Sequence, residues 1–137
     1  MKFNHYIVLI SAFALSQGIA SAVGLSGPLP ENSIFGEAWY FDTVENVFHV
    51  LFGVIGISIG LSKSFLWQKR FGYTLAAVAL FAGGASATGP ITEGVTILGA
   101  SLQNPADTLL HLIAGGITLY LTIKAQPPMN SNKKKQK

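Results

Sequence analysis

The 137-residue sequence predicts an all-α fold, an integral membrane four-helix bundle made of two tandem helical hairpins, with both chain ends in the cytoplasm. Three observations predict it: a composition too apolar for water, four apolar stretches of membrane-spanning length, and two motifs that recur at one spacing. Half of the residues are hydrophobic and only 11% are charged, against roughly 25% charged residues in soluble domains. Most of the surface must therefore face something other than water.

Four apolar stretches cover residues 5–25, 44–62, 71–88 and 108–123. Each is close to the ~20 residues that a helix needs to cross about 30 Å of hydrocarbon. Such stretches are interpreted as helices because a bilayer offers the backbone no hydrogen-bond partners. The first stretch also has the pattern of a cleavable signal peptide, with Lys2 before an apolar run and small residues at 20–22. The internal repeat favours a retained helix, because cleavage would leave the first hairpin incomplete.

The charged residues are separated by sign along the chain. The nine basic residues lie at the start, between the second and third stretches, and at the end: Lys2, Lys63, Lys69, Arg70, Lys124, Lys133, Lys134, Lys135 and Lys137. The six acids lie in or beside the other two loops: Glu31, Glu37, Asp42, Glu45, Glu93 and Asp107. Short loops rich in Lys and Arg stay in the cytoplasm. This pattern predicts a bacterial inner-membrane protein in contact with the lipid bilayer, with a disordered basic tail at 125–137.

An internal repeat appears when the chain is shifted by 62 positions. The shift places Ser26-Gly27-Pro28 on Thr88-Gly89-Pro90, and Glu45, His49 and Gly53 on Asp107, His111 and Gly115. It predicts a single transmembrane domain at 1–124, with repeat one at 1–62 and repeat two at 63–124. The Gly-Pro pairs, Gly27-Pro28 and Gly89-Pro90, are predicted to stop the first helix of each hairpin. Two equally oriented copies would be related by an axis along the membrane normal.

The repeat places an acid and a histidine four residues apart on each second helix. Glu45 and His49 share one helix face, as do Asp107 and His111. These faces continue in small residues: Gly53, Gly56 and Gly60 on one helix, Gly115, Thr118 and Thr122 on the other. Small residues let membrane helices approach closely, which predicts that both faces point into the bundle. Ionisable side chains at such a depth are candidates for function.

Four interpretations of this cluster remain open on the sequence alone. In the first, each carboxylate satisfies its own histidine and fixes helix packing. In the second, Glu45, His49, Asp107 and His111 bind a transition metal, with Glu31 and Glu93 as further ligands. In the third, His49 and His111 are the axial ligands of haem b. In the fourth, the histidines move protons, although no continuous polar path reaches the inner half.

Two stretches carry a signature in which histidine lies between apolar residues and glycine follows. They are 104–115, with the sequence Asn-Pro-Ala-Asp-Thr-Leu-Leu-His-Leu-Ile-Ala-Gly, and 45–53, with the sequence Glu-Asn-Val-Phe-His-Val-Leu-Phe-Gly. The chain resembles the small four-helix bacterial membrane family catalogued as domain of unknown function 4383, up to Lys124. Phe48 stands where that family more often has leucine. The resemblance implies the architecture and assigns no activity.

The sequence thus favours a multi-pass membrane protein that is structural or accessory rather than an enzyme. No catalytic residue is predicted. The first expectation is that the protein binds no cofactor. The alternative is a membrane metal- or haem-binding protein that uses His49 and His111 near the outer face. Membrane proteins or further copies of the chain are the candidate partners. No basic stripe interleaved with aromatic residues supports nucleic-acid binding.

Overall fold

The computed structural model describes residues 2–91 and 95–128. Its main elements are four helices, which we call α1 Phe3–Ala22, α2 Thr43–Leu61, α3 Phe65–Ser86 and α4 Ala106–Lys124. They contain 19 to 22 residues each, hence about 28–33 Å of helix at ~1.5 Å per residue. This length matches the hydrocarbon core of a bilayer, about 30 Å. The part of the predicted tail from 129 to 137 lies outside the described residues.

Three of these helices, α1, α2 and α4, are long and apolar enough to cross a membrane, judged by length and composition alone. Helix α3 differs because it begins at Phe65, six residues before the start that the apolar pattern predicted. The side chain of Ser64 caps it by accepting a hydrogen bond from the backbone N–H of Trp67. The helix therefore includes a polar turn with Lys69 and Arg70, which lowers its apolar character.

The prediction of an all-α chain is wrong in the loop between α3 and α4. Strand β1, Val95–Ile97, pairs antiparallel with strand β2, Ala100–Leu102. Leu98 and Gly99 join them with positive φ angles of 53° and 89°. Two successive residues of positive φ make the tight turn whose twist suits a hairpin, and glycine adopts that conformation without a steric penalty.

The two helices that the Gly-Pro pairs were predicted to stop end a few residues before those pairs. Helix α1 ends at Ala22, and Gly24, two residues later, adopts a φ of 76°. There the Leu25 N–H donates to the Ala20 carbonyl at 2.8 Å, and the Gly24 N–H donates to the Ser21 carbonyl at 3.0 Å. This pair of bonds is the Schellman motif. Gly27 lies five residues after Ala22, the last residue of α1, and Gly89 lies three residues after Ser86, the last residue of α3.

Each hairpin is held by two glycines that receive a larger side chain of the facing helix. In the first hairpin Gly18 of α1 faces Val50 of α2, while Gly53 of α2 faces Leu15 of α1. A Cβ added at Gly53 would lie 2.6 Å from the Leu15 Cβ and 2.8 Å from its Cα. The helices can approach this closely only because glycine has no side chain.

The second hairpin repeats this arrangement. Gly83 of α3 faces Leu112 of α4, and Gly115 of α4 faces Leu80 of α3. A Cβ at Gly115 would lie 3.0 Å from the Leu80 backbone nitrogen. Helix α1 thus packs mainly on α2 and α3 mainly on α4, with much smaller contacts between the two hairpins.

Burial in α2 and α4 is inverted relative to a water-soluble bundle. The buried positions of α2 are Glu45, Gly53, Gly56 and Gly60, and those of α4 are Asp107, Gly115, Thr118 and Thr122. Large apolar side chains point outward instead on all four helices, among them Leu9, Leu51, Val54, Leu66, Phe81, Leu109 and Ile113. A soluble protein rarely exposes so much contiguous apolar surface. Small and polar residues inside with apolar residues outside is the pattern of helices packed in lipid.

Candidate functional site

The site begins at the N-terminus of α2, where Asp42 caps the helix. Its Oδ1 accepts hydrogen bonds from the backbone N–H groups of Val44 and Glu45, at 2.8 and 2.9 Å. The Glu45 carboxylate accepts in return from the Asp42 N–H, at 3.4 Å. This is a capping box, and its sequence signal is an Asp followed three residues later by Glu. The capping box positions Glu45 one helical turn before His49.

The two histidines lie beside each other in the structure. Their ring centroids are 6.2 Å apart with an angle of 60° between the rings. The Nδ1 atom of His49 lies 2.8 Å from the Glu45 carbonyl oxygen, and that of His111 lies 2.9 Å from the Asp107 carbonyl oxygen. A carbonyl oxygen only accepts, so Nδ1 carries the hydrogen and Nε2 of each neutral ring is an acceptor.

The predicted pairing of each carboxylate with its own histidine is wrong in detail. Each imidazole donates to the backbone carbonyl of the acidic residue and not to its carboxylate. Asp107 Oδ1 still lies 4.0 Å from the Nδ1 of His111, but it accepts a hydrogen bond from the Trp39 indole N–H at 3.1 Å. Asp107 Oδ2 accepts from the Gln103 N–H at 2.6 Å. The Asp107 carboxylate therefore binds a loop.

Two carboxylates reach from one hairpin to the other. Asp42 of the first hairpin accepts through Oδ2 from the backbone N–H of Ser101 in β2. Asp107 of the second hairpin accepts from Trp39 in the loop before α2. A third bond runs from the Tyr40 N–H to the Gln103 side-chain oxygen at 3.4 Å. These reciprocal contacts join the acidic ends of the two hairpins.

Two serines that the sequence analysis did not single out also form hydrogen bonds at the acidic ends of the hairpins. Ser21 of α1 donates to the Phe41 carbonyl at 3.0 Å, and Ser86 of α3 donates to the Gln103 carbonyl at 3.1 Å. Both serines are fully buried. Each ties the last turn of the first helix to the chain just before the second helix begins. Phe41, also fully buried, places its ring edge-on to His49 with the centroids 4.8 Å apart.

The described residues do not assemble the predicted metal site. No three acidic or histidine side chains come close enough together, within 2–91 and 95–128, to hold a metal ion. Glu31 is exposed in the first loop, and Glu93 lies outside the described residues. One carboxylate atom of the cluster has no partner in the described structure: Oε1 of Glu45, whose residue is only 3% exposed.

A cavity of about 480 Å³ separates the two hairpins next to the histidines. Its walls come from all four helices and the β-hairpin, and they are largely apolar. Glu45, His49, His111 and Thr118 are its polar side chains among the described lining residues. A mostly apolar cavity with a few convergent polar groups is the usual form of a small-molecule site.

No protein-family model, no curated protein and no solved structure matches this chain. Its class therefore follows from its own residues: a mostly helical protein in which three described helices are apolar enough to span a membrane.

Proposed function

We propose that the protein is a non-enzymatic, structural or accessory protein of the bacterial inner membrane that crosses the bilayer four times. The inverted burial of α2 and α4 carries this proposal, because glycine, threonine and carboxylates are their buried residues while leucine, isoleucine and valine face outward. That pattern is stable only where the surroundings are apolar.

Helix α3 is proposed as the fourth crossing although its composition is less apolar. It packs on α4 through the same exchange of glycine and leucine that joins α1 to α2, and its 22 residues are long enough. Its basic residues lie at one end: the Lys69 ammonium donates to the Ala125 carbonyl at 3.4 Å, beside the end of α4. A flanking basic turn suits the cytoplasmic end of a membrane helix.

The orientation with both termini in the cytoplasm is part of the same proposal. Lys2, Lys63 and Lys124 line one cavity at the end where α1 begins and where α2 and α4 finish. Asp42 and Asp107 begin α2 and α4 at the opposite end. This separation of charge agrees with the rule that basic ends remain inside.

The proposed tandem repeat is supported by the glycine contacts, with a change of register. The α2 and α4 contacts are 62 residues apart, as Gly53 and Gly115 are. The α1 and α3 contacts are 65 apart, since Gly83 takes the place of Gly18 and Ser86 that of Ser21. Repeat two therefore has three residues fewer between the contact glycine of its first helix and the Gly-Pro pair that follows.

Membership of the family catalogued as domain of unknown function 4383 belongs to this proposal.

Within this function the carboxylates, and not the imidazoles, hold the hairpins together. The His49→Gln and His111→Gln double variant should unfold within about 1 kcal/mol of the parent, because each ring bonds only to a carbonyl of its own helix. Thermal or detergent-induced unfolding, followed by circular dichroism, measures this. A loss as large as that of an Asp107 variant would contradict the assignment.

The alternative, a haem or metal protein, is tested on the same purified sample in mild detergent. We expect no Soret band and no stoichiometric transition metal, because both Asp107 carboxylate oxygens accept hydrogen bonds from Trp39 and Gln103 and the outer loops contain no basic residue for haem propionates. A Soret band that the double variant loses would overturn the non-cofactor part of the proposal and leave the four crossings intact.

A further inference from the structure

The cavity between the hairpins has a polar end that offers acceptors only. Nδ1 of His49 and of His111 donates to a backbone carbonyl, which leaves Nε2 of each ring as an acceptor. Glu45 Oε2 receives the Asp42 N–H, while Oε1 is buried without a partner among the described residues. In its ionised form, the Glu45 carboxylate accepts and does not donate. All three side chains line the same cavity.

The fourth polar side chain of the lining, Thr118, has no hydrogen left to offer. Its hydroxyl donates to the Ala114 carbonyl at 2.6 Å. The Tyr6 hydroxyl, 2.6 Å from the Thr118 oxygen, must therefore be the donor of that contact. When Glu45 is ionised, no side chain of the described lining can thus donate a hydrogen bond to a ligand.

The charges around this end have one sign. The loops from 26 to 42 and from 87 to 105 contain Glu31, Glu37, Asp42 and Glu93 but no Lys or Arg. An anionic head group would meet only like charges there, and a carbonyl group would meet only acceptors. A cation with several N–H donors matches both the charge and the hydrogen-bond pattern.

We propose that the cavity binds a membrane-soluble primary amine. Its ammonium group donates to Nε2 of His49 and of His111, whose ring centroids lie 6.2 Å apart, and the Glu45 carboxylate of the same lining balances its charge. Its apolar chain lies between the hairpins among Phe48, Phe52 and Phe81, whose rings line the same space. Aromatic faces near an ammonium group add a favourable electrostatic contact. The volume of about 480 Å³ lies within the range of small-molecule sites, about 300–1,000 Å³.

The test compares three probes that share one chain and differ in the head group: dodecylamine, dodecanol and dodecanoate. The full-length protein with Trp67→Phe is placed in nanodiscs of uncharged lipid, so that Trp39, next to Phe41 and Asp107, is the one fluorescent indole. We expect dodecylamine to bind at least tenfold more tightly than dodecanol, with dodecanoate weakest. Equal affinity of the three probes, or tightest binding of dodecanoate, would overturn the proposal.

Matched variants localise the binding. Glu45→Gln and His111→Gln should each weaken dodecylamine binding about tenfold or more, as expected for the loss of one charge-assisted bond. Glu37→Gln, an exposed acid of the same loop region, and His5→Gln, an exposed histidine at the other end, should leave it unchanged. Equal loss in the control variants would overturn the site.

Steric blocking gives a test that does not depend on the polar residues. Ala82→Leu places a larger side chain in the cavity from α3 and should abolish selective amine binding. Thr74→Leu on the exposed side of the same helix serves as the control. If Ala82→Leu folds and still binds dodecylamine like the parent, the amine does not occupy this cavity. The four-crossing proposal would survive that result.

Discussion

Asp107→Ala should lower the free energy of unfolding by about 2–6 kcal/mol, because it leaves one buried and one partly buried donor without a partner and each costs about 1–3 kcal/mol. Asp107 is fully buried, and its carboxylate is the acceptor for the Trp39 indole N–H and the Gln103 backbone N–H. Reversible unfolding in mixed detergent micelles, followed by circular dichroism, measures the change.

Glu37→Ala provides the control, since Glu37 is exposed and belongs to the same acidic end. It should change stability by no more than about 0.5 kcal/mol. Asp107→Asn should lie between the two, because the amide keeps one oxygen acceptor and introduces an N–H group opposite a donor. If Asp107→Ala and Glu37→Ala unfold at the same detergent concentration, the contacts between the hairpins do not stabilise the fold.

Gly53→Val should destabilise the first hairpin by about 3 kcal/mol, the upper part of the range for overpacked sites. The clash cannot be relieved by rotating a side chain, because a Cβ at Gly53 would meet the Cβ, Cα and backbone nitrogen of Leu15 within 2.8 Å. The helices would have to separate. The same unfolding assay measures the loss.

Gly116→Val is the matched control, since a Cβ at Gly116 meets nothing within 4 Å. The two substitutions add the same side chain at similar helical positions, so the difference between them isolates the contact with the facing helix. Equal stability of the two variants would mean that α1 and α2 do not pack through Gly53.

The sequence predicted the helices well because hydrophobic length is a strong local signal. The apolar stretches 44–62 and 108–123 correspond to α2 and α4 within two residues at each end. The start of α3 was missed by six residues, because Lys69 and Arg70 interrupt the apolar pattern without interrupting the helix that Ser64 caps. Lys and Arg lower the local hydropathy of the sequence, but both residues have a high helix propensity.

The β-hairpin was missed for a different reason. The run from Val95 to Leu102 alternates in the manner of paired strands, but its turn is Leu98-Gly99. The usual signal for this turn is Asn or Asp before glycine, because leucine rarely adopts positive φ. Contacts with the Asp42 carboxylate, which are not local in sequence, help to hold β2 in place.

The candidate site was predicted as a set of residues but not in its bonding. The spacing of four predicted that Glu45 and His49 share a face, and the structure adds that the imidazole bonds to the backbone carbonyl one turn earlier. The contact between Asp107 and Trp39 joins residues 68 positions apart. No local pattern encodes such a contact, and the capping box at Asp42 and Glu45 was the one readable signal that was overlooked.

The most direct test of the four-crossing fold is accessibility mapping with single cysteines, which the cysteine-free chain permits without further changes. Ile34→Cys and Leu98→Cys, both at highly exposed positions in the two loops proposed to face outward, should react with a membrane-impermeant maleimide on intact cells. Lys63→Cys and Gln126→Cys should react only after the membrane is opened. Protection of Leu98→Cys together with labelling of Gln126→Cys on intact cells would mean that α3 does not cross the membrane, and would contradict the fold proposed for this protein.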